Sequence, residues 1–149
     1  MATFCTNALE NHLSDLGEQA TAWTSYFDSW ACLSEVERDK NYFFGKDSAY
    51  VNPLVGGKPY LLRHVHIVPI SDIDALKRWD KAHDRNGRKT SDRALVYTHD
   101  NNGNYLLIFV LDEPSAHSVA SMRTQQDRET MEGFAVVADA FIFDGSILA

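Results

Sequence analysis

The residues of this sequence best suited to chemistry are two histidines separated by one residue, His64 and His66. They lie in an apolar stretch that predicts a β-strand, and alternate side chains of a strand project to the same face of a sheet. Because the imidazole pKa is ordinarily about 6.5, such a pair can supply a general base and a general acid near neutral pH.

The same spacing has two other interpretations. Paired histidines on a strand can bind a metal ion, and His99 or Asp100 would then have to complete the site, because no further carboxylate stands at a recognised spacing. The pair can also be structural, with both rings capped by main chain or solvent on a half-buried strand. The spacing leaves all three interpretations open.

A polar loop just before a predicted strand has a composition suited to holding phosphate. Its residues are Arg88, Lys89, Thr90, Ser91 and Asp92. Guanidinium, ammonium and hydroxyl groups bind phosphate oxygens, and a cation at a reacting phosphate stabilises charge that develops in the transition state. Alternatively, Ser91 or Asp92 only turns the chain into the strand. His117 likewise has two interpretations. It is either an active-site group or part of the first turn of a helix.

The charge of the chain is distributed unevenly. The 149 residues have a net charge of −7, which argues against binding to nucleic acid driven by overall charge. Residues 56–100 nevertheless hold nine basic groups against six acidic ones. Most of the basic groups lie between positions 77 and 93: Lys77, Arg78, Lys81, Arg85, Arg88, Lys89 and Arg93. The sequence therefore predicts a local basic surface on an acidic protein, although charge runs often form only a solvated face.

The composition of the chain and the motifs that it lacks exclude most common classes of protein. With 44% apolar and 23% charged residues, the chain is expected to fold as one domain, residues 1–149. No stretch approaches the roughly 20 apolar residues of a membrane span, and no basic, apolar leader is visible, so we expect a cytoplasmic protein. Glycine-rich phosphate loops, nucleophile elbows and zinc-finger cysteine spacings are absent from the sequence. A metal-free cleavage of phosphodiesters remains, because it needs only a base, an acid and cations.

The elements that would position these residues can be predicted from periodicity. Asn7 is expected to cap a helix carrying Leu9, Leu13 and Leu16, and Trp23, Phe27 and Trp30 predict a second helix. Residues 60–70 predict a strand, and 72–83 a helix with basic residues on its outer face. An Asn-Gly turn joins the apolar runs 94–98 and 105–111 into a hairpin, and a helix through residues 131–142 ends near Gly145. This order predicts an α+β fold, a small mainly antiparallel sheet with an N-terminal helix pair and further flanking helices.

Several of these segments, taken in order, resemble the YafO family of toxins. They are Phe44-Gly45-Lys46-Asp47-Ser48-Ala49-Tyr50, His64-Val65-His66-Ile67, Lys89-Thr90-Ser91-Asp92, Leu95-Val96-Tyr97, Leu106-Leu107-Ile108, Glu113-Pro114 with His117, Met131, and Ala138-Asp139-Ala140-Phe141. The resemblance implies the toxin of a bacterial type II toxin–antitoxin pair. Such a toxin is a ribosome-dependent endoribonuclease that cuts mRNA, is neutralised by a small protein antitoxin, and has an architecture similar to that of RelE-like toxins.

The resemblance and the residue chemistry together give a predicted site without metal or cofactor. Its catalytic candidates are His64, His66, His117, Lys89 and Asp92. Its candidates for contacting RNA phosphate are Lys46, Arg63, Arg88 and Thr90, with Lys77, Lys81 and Arg85 as peripheral cations. Of these, Arg63 and Arg88 have no counterpart in the resemblance. The predicted partners are the antitoxin, the ribosome and mRNA. The alternatives are an acidic interaction protein without enzymatic activity and a metal-dependent enzyme that uses His64, His66 and His99.

Overall fold

A five-stranded sheet runs through the middle of the molecule in the computed structural model, which describes residues 2–149. Its strands are β1 (Thr3–Cys5), β2 (Phe44–Ala49), β3 (Arg63–Ile67), β4 (Ala94–His99) and β5 (Tyr105–Leu111). They are arranged in the order β1-β5-β4-β3-β2, and every neighbouring pair is antiparallel except β1 and β5. The predicted hairpin is therefore confirmed as β4 and β5 at the centre of the sheet.

Six helices accompany the strands in the described part of the chain. They are α1 (Asn7–Asp15), α2 (Ala20–Ala31), α3 (Glu35–Arg38), α4 (Ile73–Asp84), α5 (Ala116–Ala120) and α6 (Gln125–Asp144). The combination of these helices with a mainly antiparallel sheet confirms the α+β class. Gly145 ends α6 in the left-handed conformation, with φ of 79°, as its position after the apolar series predicts.

Two apolar cores lie on opposite faces of the sheet. On one face, α1 and α2 bury Leu9, Leu13 and the predicted stripe of Trp23, Phe27 and Trp30 against β3, β4 and β5. On the other face, α6 buries Met131, Ala138 and Phe141 against the opposite side of β4 and β5. Both faces of the sheet are covered, so a polar side chain on the sheet needs a hydrogen-bond partner within the protein or has a functional role.

The boundaries differ from the predicted ones at several points. Thr6, not Asn7, caps α1, because its hydroxyl accepts the N–H of Leu9 while donating to the carbonyl of Ile108. Leu16 lies beyond the end of this helix and is exposed, as is Ile73 at the start of α4. The strand predicted over residues 60–70 extends only over Arg63–Ile67.

Strands β1 and β2 have no counterpart among the predicted elements. β1 has only three residues and is held mainly by its parallel pairing with β5. β2 is an edge strand with an irregular register between Phe44 and Asp47, so its polar sequence shows no clean alternation. Gly45 is needed there, because a Cβ at this position would come within 2.2 Å of the carbonyl oxygen of Lys89. This close approach places the predicted phosphate loop against β2.

Candidate active site

Three histidines form a row on the face of the sheet that α5 and α6 cover. His64 and His66 project from the same side of β3, as their spacing predicts, and His117 comes from α5. The ring centroids of His64 and His66 are 5.7 Å apart, and those of His66 and His117 are also 5.7 Å apart. The fold thus assembles three of the predicted catalytic residues from two segments separated by about fifty positions in the sequence.

His66 is the central member of the row. Its Nδ1 lies 2.9 Å from the main-chain nitrogen of Ser91 and 2.7 Å from the carbonyl oxygen of the same residue. Burial lowers the pKa of His66, and the charges of His117 and Lys46 act in the same direction, while the bond to Ser91 and the charge of Asp92 oppose them. The ring is therefore neutral at pH 7, and Nδ1 finds a main-chain partner whether or not it carries the proton.

His117 is the exposed member of the row. Its Nδ1 lies 2.8 Å from Oδ1 of Asp92, and its main-chain N–H donates to the same oxygen over 2.7 Å. The carboxylate orients the ring and occupies Nδ1, so Nε2 is the atom that can exchange a proton with a ligand. Since 70% of the His117 side chain is exposed, a ligand can reach it from solvent. Asp92 is thus placed beside the histidines, as predicted, and positions one of them.

His64 packs against the edge strand β2 and the residue that follows it. Its Nε2 is 3.2 Å from the hydroxyl of Ser48, and its ring stacks on Tyr50 with centroids 4.1 Å apart and planes 14° apart. Its Nδ1 is buried without a hydrogen-bond partner in the described part of the chain. Burial, followed by the charges of His66 and His117, lowers the pKa of His64 to about 4. This ring is therefore neutral throughout the physiological range.

Lys46 is an exposed cation on β2, two residues before Ser48, which contacts His64. It lies in the irregular part of β2, its side chain is exposed, and its charge contributes to lowering the pKa of both His64 and His66. Because it is paired with no carboxylate among residues 2–149, its ammonium is available to an anion bound at the histidines. The predicted role of Lys46 at phosphate is compatible with this position.

A second polar cluster lies on the opposite face of β3, because Arg63 and His64 are consecutive strand residues. Tyr97 donates its phenolic hydrogen to Oδ1 of Asp47 over 2.6 Å, and Arg63 donates to Oδ2 over 3.0 Å. Arg63 also donates from Nε to the Tyr97 oxygen over 3.2 Å. Burial works to lower the pKa of Arg63, but Tyr97 and Asp47 outweigh it and raise that pKa. Burial raises the pKa of Tyr97, so this phenol is neutral.

Lys89 lies elsewhere than the row of histidines. Only 1% of its surface is exposed, and its ammonium donates over 2.7 Å to the carbonyl oxygen of Asp39. Burial lowers its pKa, although the charge of Asp39 opposes this. Its ammonium is thus bonded to the main chain and directed away from the row of histidines, an arrangement that favours a structural role for Lys89.

The remaining candidates for contacting RNA phosphate are exposed. Lys77 and Lys81 lie on α4 and Arg85 directly follows it, while Arg88 and Thr90 lie on the loop before β4. α4 is attached to the body through Trp79, whose Nε1 donates to the carbonyl of Tyr42 over 2.9 Å. The basic face of this helix is thus an exposed surface separate from the row of histidines.

His99 does not join the other histidines. His64 pairs with Val96 across β3 and β4, so His99 lies three residues farther along the strand, roughly 10 Å away. It is exposed beside Tyr105. Within residues 2–149, no group of three or more His, Cys, Asp or Glu side chains is placed to hold a metal ion. The predicted metal set of His64, His66 and His99 is therefore not assembled.

Four residues of the site were not distinguished by residue type or spacing. Ser48 and Tyr50 contact His64 from β2 and just beyond it, and that strand has no recognisable pattern. Tyr97 fits the pattern of a buried strand residue, so the sequence does not mark its hydroxyl as part of a polar cluster. Arg38 ends α3, a helix whose start is signalled only by Ser34 followed three residues later by Glu37, a capping box.

Comparison with known proteins gives one family. The family described as Toxin YafO, type II toxin-antitoxin system, matches residues 12–143 of the chain. Neither curated proteins nor solved structures gave a match. Among residues 2–149, the helices are all too short or too polar to cross a membrane.

Proposed function

The chain belongs to the YafO family of type II toxin–antitoxin toxins, and from this premise we propose that it is an endoribonuclease that cuts mRNA on translating ribosomes. The observation that carries the proposal is the pairing of His66 with His117. Both rings have Nδ1 engaged, by Ser91 and Asp92 respectively, and their centroids are 5.7 Å apart. This spacing is short enough for both rings to contact one phosphodiester group.

The chemistry requires no group beyond those of the chain. His66, which is neutral at pH 7, removes the proton of a ribose 2′-hydroxyl, and the oxygen attacks the adjacent phosphorus. The bond to the 5′-oxygen of the next nucleotide breaks, and His117 gives that oxygen its proton. The products are a 2′,3′-cyclic phosphate and a free 5′-hydroxyl. Lys46 stabilises the negative charge that develops on the phosphate oxygens in the transition state.

The charge of the chain supports the proposed dependence on the ribosome. Affinity for the nucleic-acid backbone grows with the number of cations that engage it at once, and this chain has a net charge of −7. The basic face of α4, with Lys77 and Lys81, offers one local contact surface for ribosomal RNA. The ribosome supplies the remaining affinity and presents the mRNA, which places the activity in the cytoplasm, under control of the cognate antitoxin protein.

The proposal is tested by cleavage of one defined mRNA, either naked or bound to translating ribosomes. We expect rapid cleavage only with ribosomes, fragments that carry a 2′,3′-cyclic phosphate, and loss of cleavage in His66→Asn. The exposed His99→Asn is the matched control and should cleave like the parent protein. Equal cleavage of naked mRNA would contradict the ribosome dependence, and intact mRNA under both conditions would contradict the nuclease assignment.

A further inference from the structure

A polar pocket of about 250 Å³ lies on the opposite face of β3 from the histidine row. Its walls come from α2, α3, β2, β3 and the loop before β4. The side chains that line it are Trp30, Glu35, Arg38, Asp39, Lys46, Asp47, Arg63 and Arg88. Four of these are cations, in a chain whose overall charge is negative. The acid–base chemistry of the histidines does not need this pocket, so its composition calls for a separate explanation.

Two of the guanidinium groups in the pocket are held rigidly. Arg63 is fixed by Asp47 and Tyr97, as described above. Arg38 donates to the carbonyl oxygens of Trp30 and Ala31 over 3.3 Å and 2.8 Å, and its guanidinium lies 4.1 Å from the centre of the Trp30 ring. Both groups are therefore ordered before any ligand arrives, which reduces the entropy lost on binding.

The same contacts leave donors unused. Arg63 employs Nε and Nη2, and its Nη1 donates to no partner within residues 2–149. Nη1 of Arg38 is 3.8 Å from Oδ2 of Asp47, a distance too long for a hydrogen bond. Asp47 thus orients two guanidinium groups without saturating either of them. Planar N–H groups in this arrangement suit the oxygens of a tetrahedral anion.

The charges around the pocket favour an anion. Arg38, Lys46, Arg63 and Arg88 face Glu35, Asp39 and Asp47, an excess of one positive charge. The buried ammonium of Lys89, bonded to the carbonyl of Asp39 on the same wall, raises the excess to two. Arg88 and Lys46 are exposed and form no ion pair in the described part of the chain, so they can close over a ligand.

We propose that this pocket binds a second phosphate group of the RNA, next to the one that the histidines address. The inference rests on the proposed nuclease function for the identity of the ligand. Lys46 connects the two places, because it lines the pocket and lies on β2 two residues before Ser48, whose hydroxyl contacts His64. An RNA strand that crosses the edge strand β2 would place neighbouring phosphates on either side of Lys46.

The same chemistry could serve a free phosphate or the phosphate of a mononucleotide, and a binding experiment separates these sources. The probes are a short 2′-deoxy oligonucleotide, which lacks the attacking hydroxyl and cannot be cleaved, and inorganic phosphate alone. Binding is followed by NMR through the arginine Nε–H signals and by titration at several salt concentrations. We expect the oligonucleotide to shift the signals of Arg38 and Arg63, and inorganic phosphate to compete at the same place.

Two variants make the test quantitative. Arg88→Ala removes an exposed cation without a structural partner, so we expect it to fold normally, bind the oligonucleotide about 5- to 10-fold more weakly, and have a salt slope less steep by about 0.7. Arg38→Gln should weaken binding similarly. Arg123→Ala, an exposed arginine remote from the pocket in sequence, is the control and should bind like the parent protein.

The outcomes separate this inference from the nuclease assignment. Unchanged oligonucleotide affinity in both Arg88→Ala and Arg38→Gln would overturn the subsite even if the protein cleaves mRNA. Weakened oligonucleotide affinity in both variants would support the subsite even if no cleavage is found, provided that Arg123→Ala keeps the affinity and the salt dependence of the parent protein. Binding of inorganic phosphate at the pocket with no effect of the oligonucleotide on Arg38 or Arg63 would assign the site to a free anion and overturn the RNA subsite.

Discussion

The Nδ1 atom of His66 lies between the two main-chain polar groups of Ser91, 2.9 Å from its nitrogen and 2.7 Å from its oxygen. When Nδ1 carries a proton it donates to the oxygen, and Nε2 is then a base. When Nδ1 lacks the proton it accepts from the N–H, and Nε2–H is then a donor. One main-chain residue therefore supports both tautomers, and the ring can give or take a proton at Nε2 without moving.

Replacing His66 by asparagine tests this arrangement. The asparagine amide can keep a hydrogen bond to Ser91 at the position of Nδ1, but nothing replaces Nε2. We expect His66→Asn to fold with a melting temperature close to that of the parent protein and to lose about 10² or more in the rate of mRNA cleavage, the scale of a positioned acid or base. Single-turnover kinetics with saturating ribosomes measure this loss. A rate within a few-fold of the parent would remove His66 from catalysis.

His64 gives a separate prediction, on stability. Its pKa is lowered to about 4 by burial, whereas the unfolded chain has a histidine pKa of about 6.5. The unfolded state therefore takes up a proton first as the pH falls, and the stability associated with neutral His64 is lost between about pH 6.5 and pH 4. In His64→Phe, which keeps an aromatic ring against Tyr50, this loss should be smaller.

Urea unfolding of the parent protein and His64→Phe at pH 7.0 and at pH 4.5 measures the difference. The expected result is that the two free energies of unfolding converge, or cross in favour of the variant, at the lower pH. The exposed His99→Phe is the control and should follow the parent at both pH values. A constant gap between the parent and His64→Phe would show that His64 does not titrate abnormally.

The row of histidines was predictable in part because its geometry is local. The alternation of β3 alone puts His64 and His66 on one face. His117 and Asp92 meet through the packing of α5 against the start of β4, and only the resemblance to a family placed them together beforehand. Amphipathic periodicity likewise predicted α2, α4 and α6, whose apolar faces are long enough to show a period, and two apolar runs joined by an Asn-Gly turn predicted the central hairpin.

Three cations of the pocket on the other face, Lys46, Arg63 and Arg88, were predicted phosphate contacts, but their meeting in one pocket was not predictable. Its residues come from five segments, and the strand that joins them, β2, is an irregular edge strand whose polar sequence follows no period of two. Lys89 also shows how packing changes the surroundings of a residue chosen by type. A lysine in a polar loop is expected to be solvated, but the close approach of this loop to Gly45 buries it. Tertiary packing decides whether such a side chain is buried, and the composition of the loop does not reveal this.

Lys89 and Lys46 form a matched pair for testing that distinction. Lys89→Met removes a hydrogen bond from a charged donor to the half-buried carbonyl of Asp39, and such bonds contribute about 1.5–3 kcal/mol. We therefore expect Lys89→Met to lower the free energy of unfolding by that amount and to retain its cleavage rate at a temperature where it is folded. Lys46→Met should show the reverse, with unchanged stability and slower cleavage. Loss of activity in a fully folded Lys89→Met would return Lys89 to the reaction centre.

The lysines on the basic face of α4 allow docking to the ribosome to be tested separately from the chemical step. Lys77 and Lys81 are exposed on a helix that Trp79 anchors, and they lie outside the row of histidines. Removing a peripheral phosphate contact weakens binding and its salt dependence, whereas removing a cation at the reacting phosphate slows the chemical step. We expect Lys77→Ala combined with Lys81→Ala to raise the ribosome concentration needed for half-maximal cleavage several-fold at an unchanged maximal rate. Lys46→Met should lower the maximal rate instead. A ribosome titration under single-turnover conditions distinguishes the two, and a reduced maximal rate in the α4 double variant would contradict the docking role.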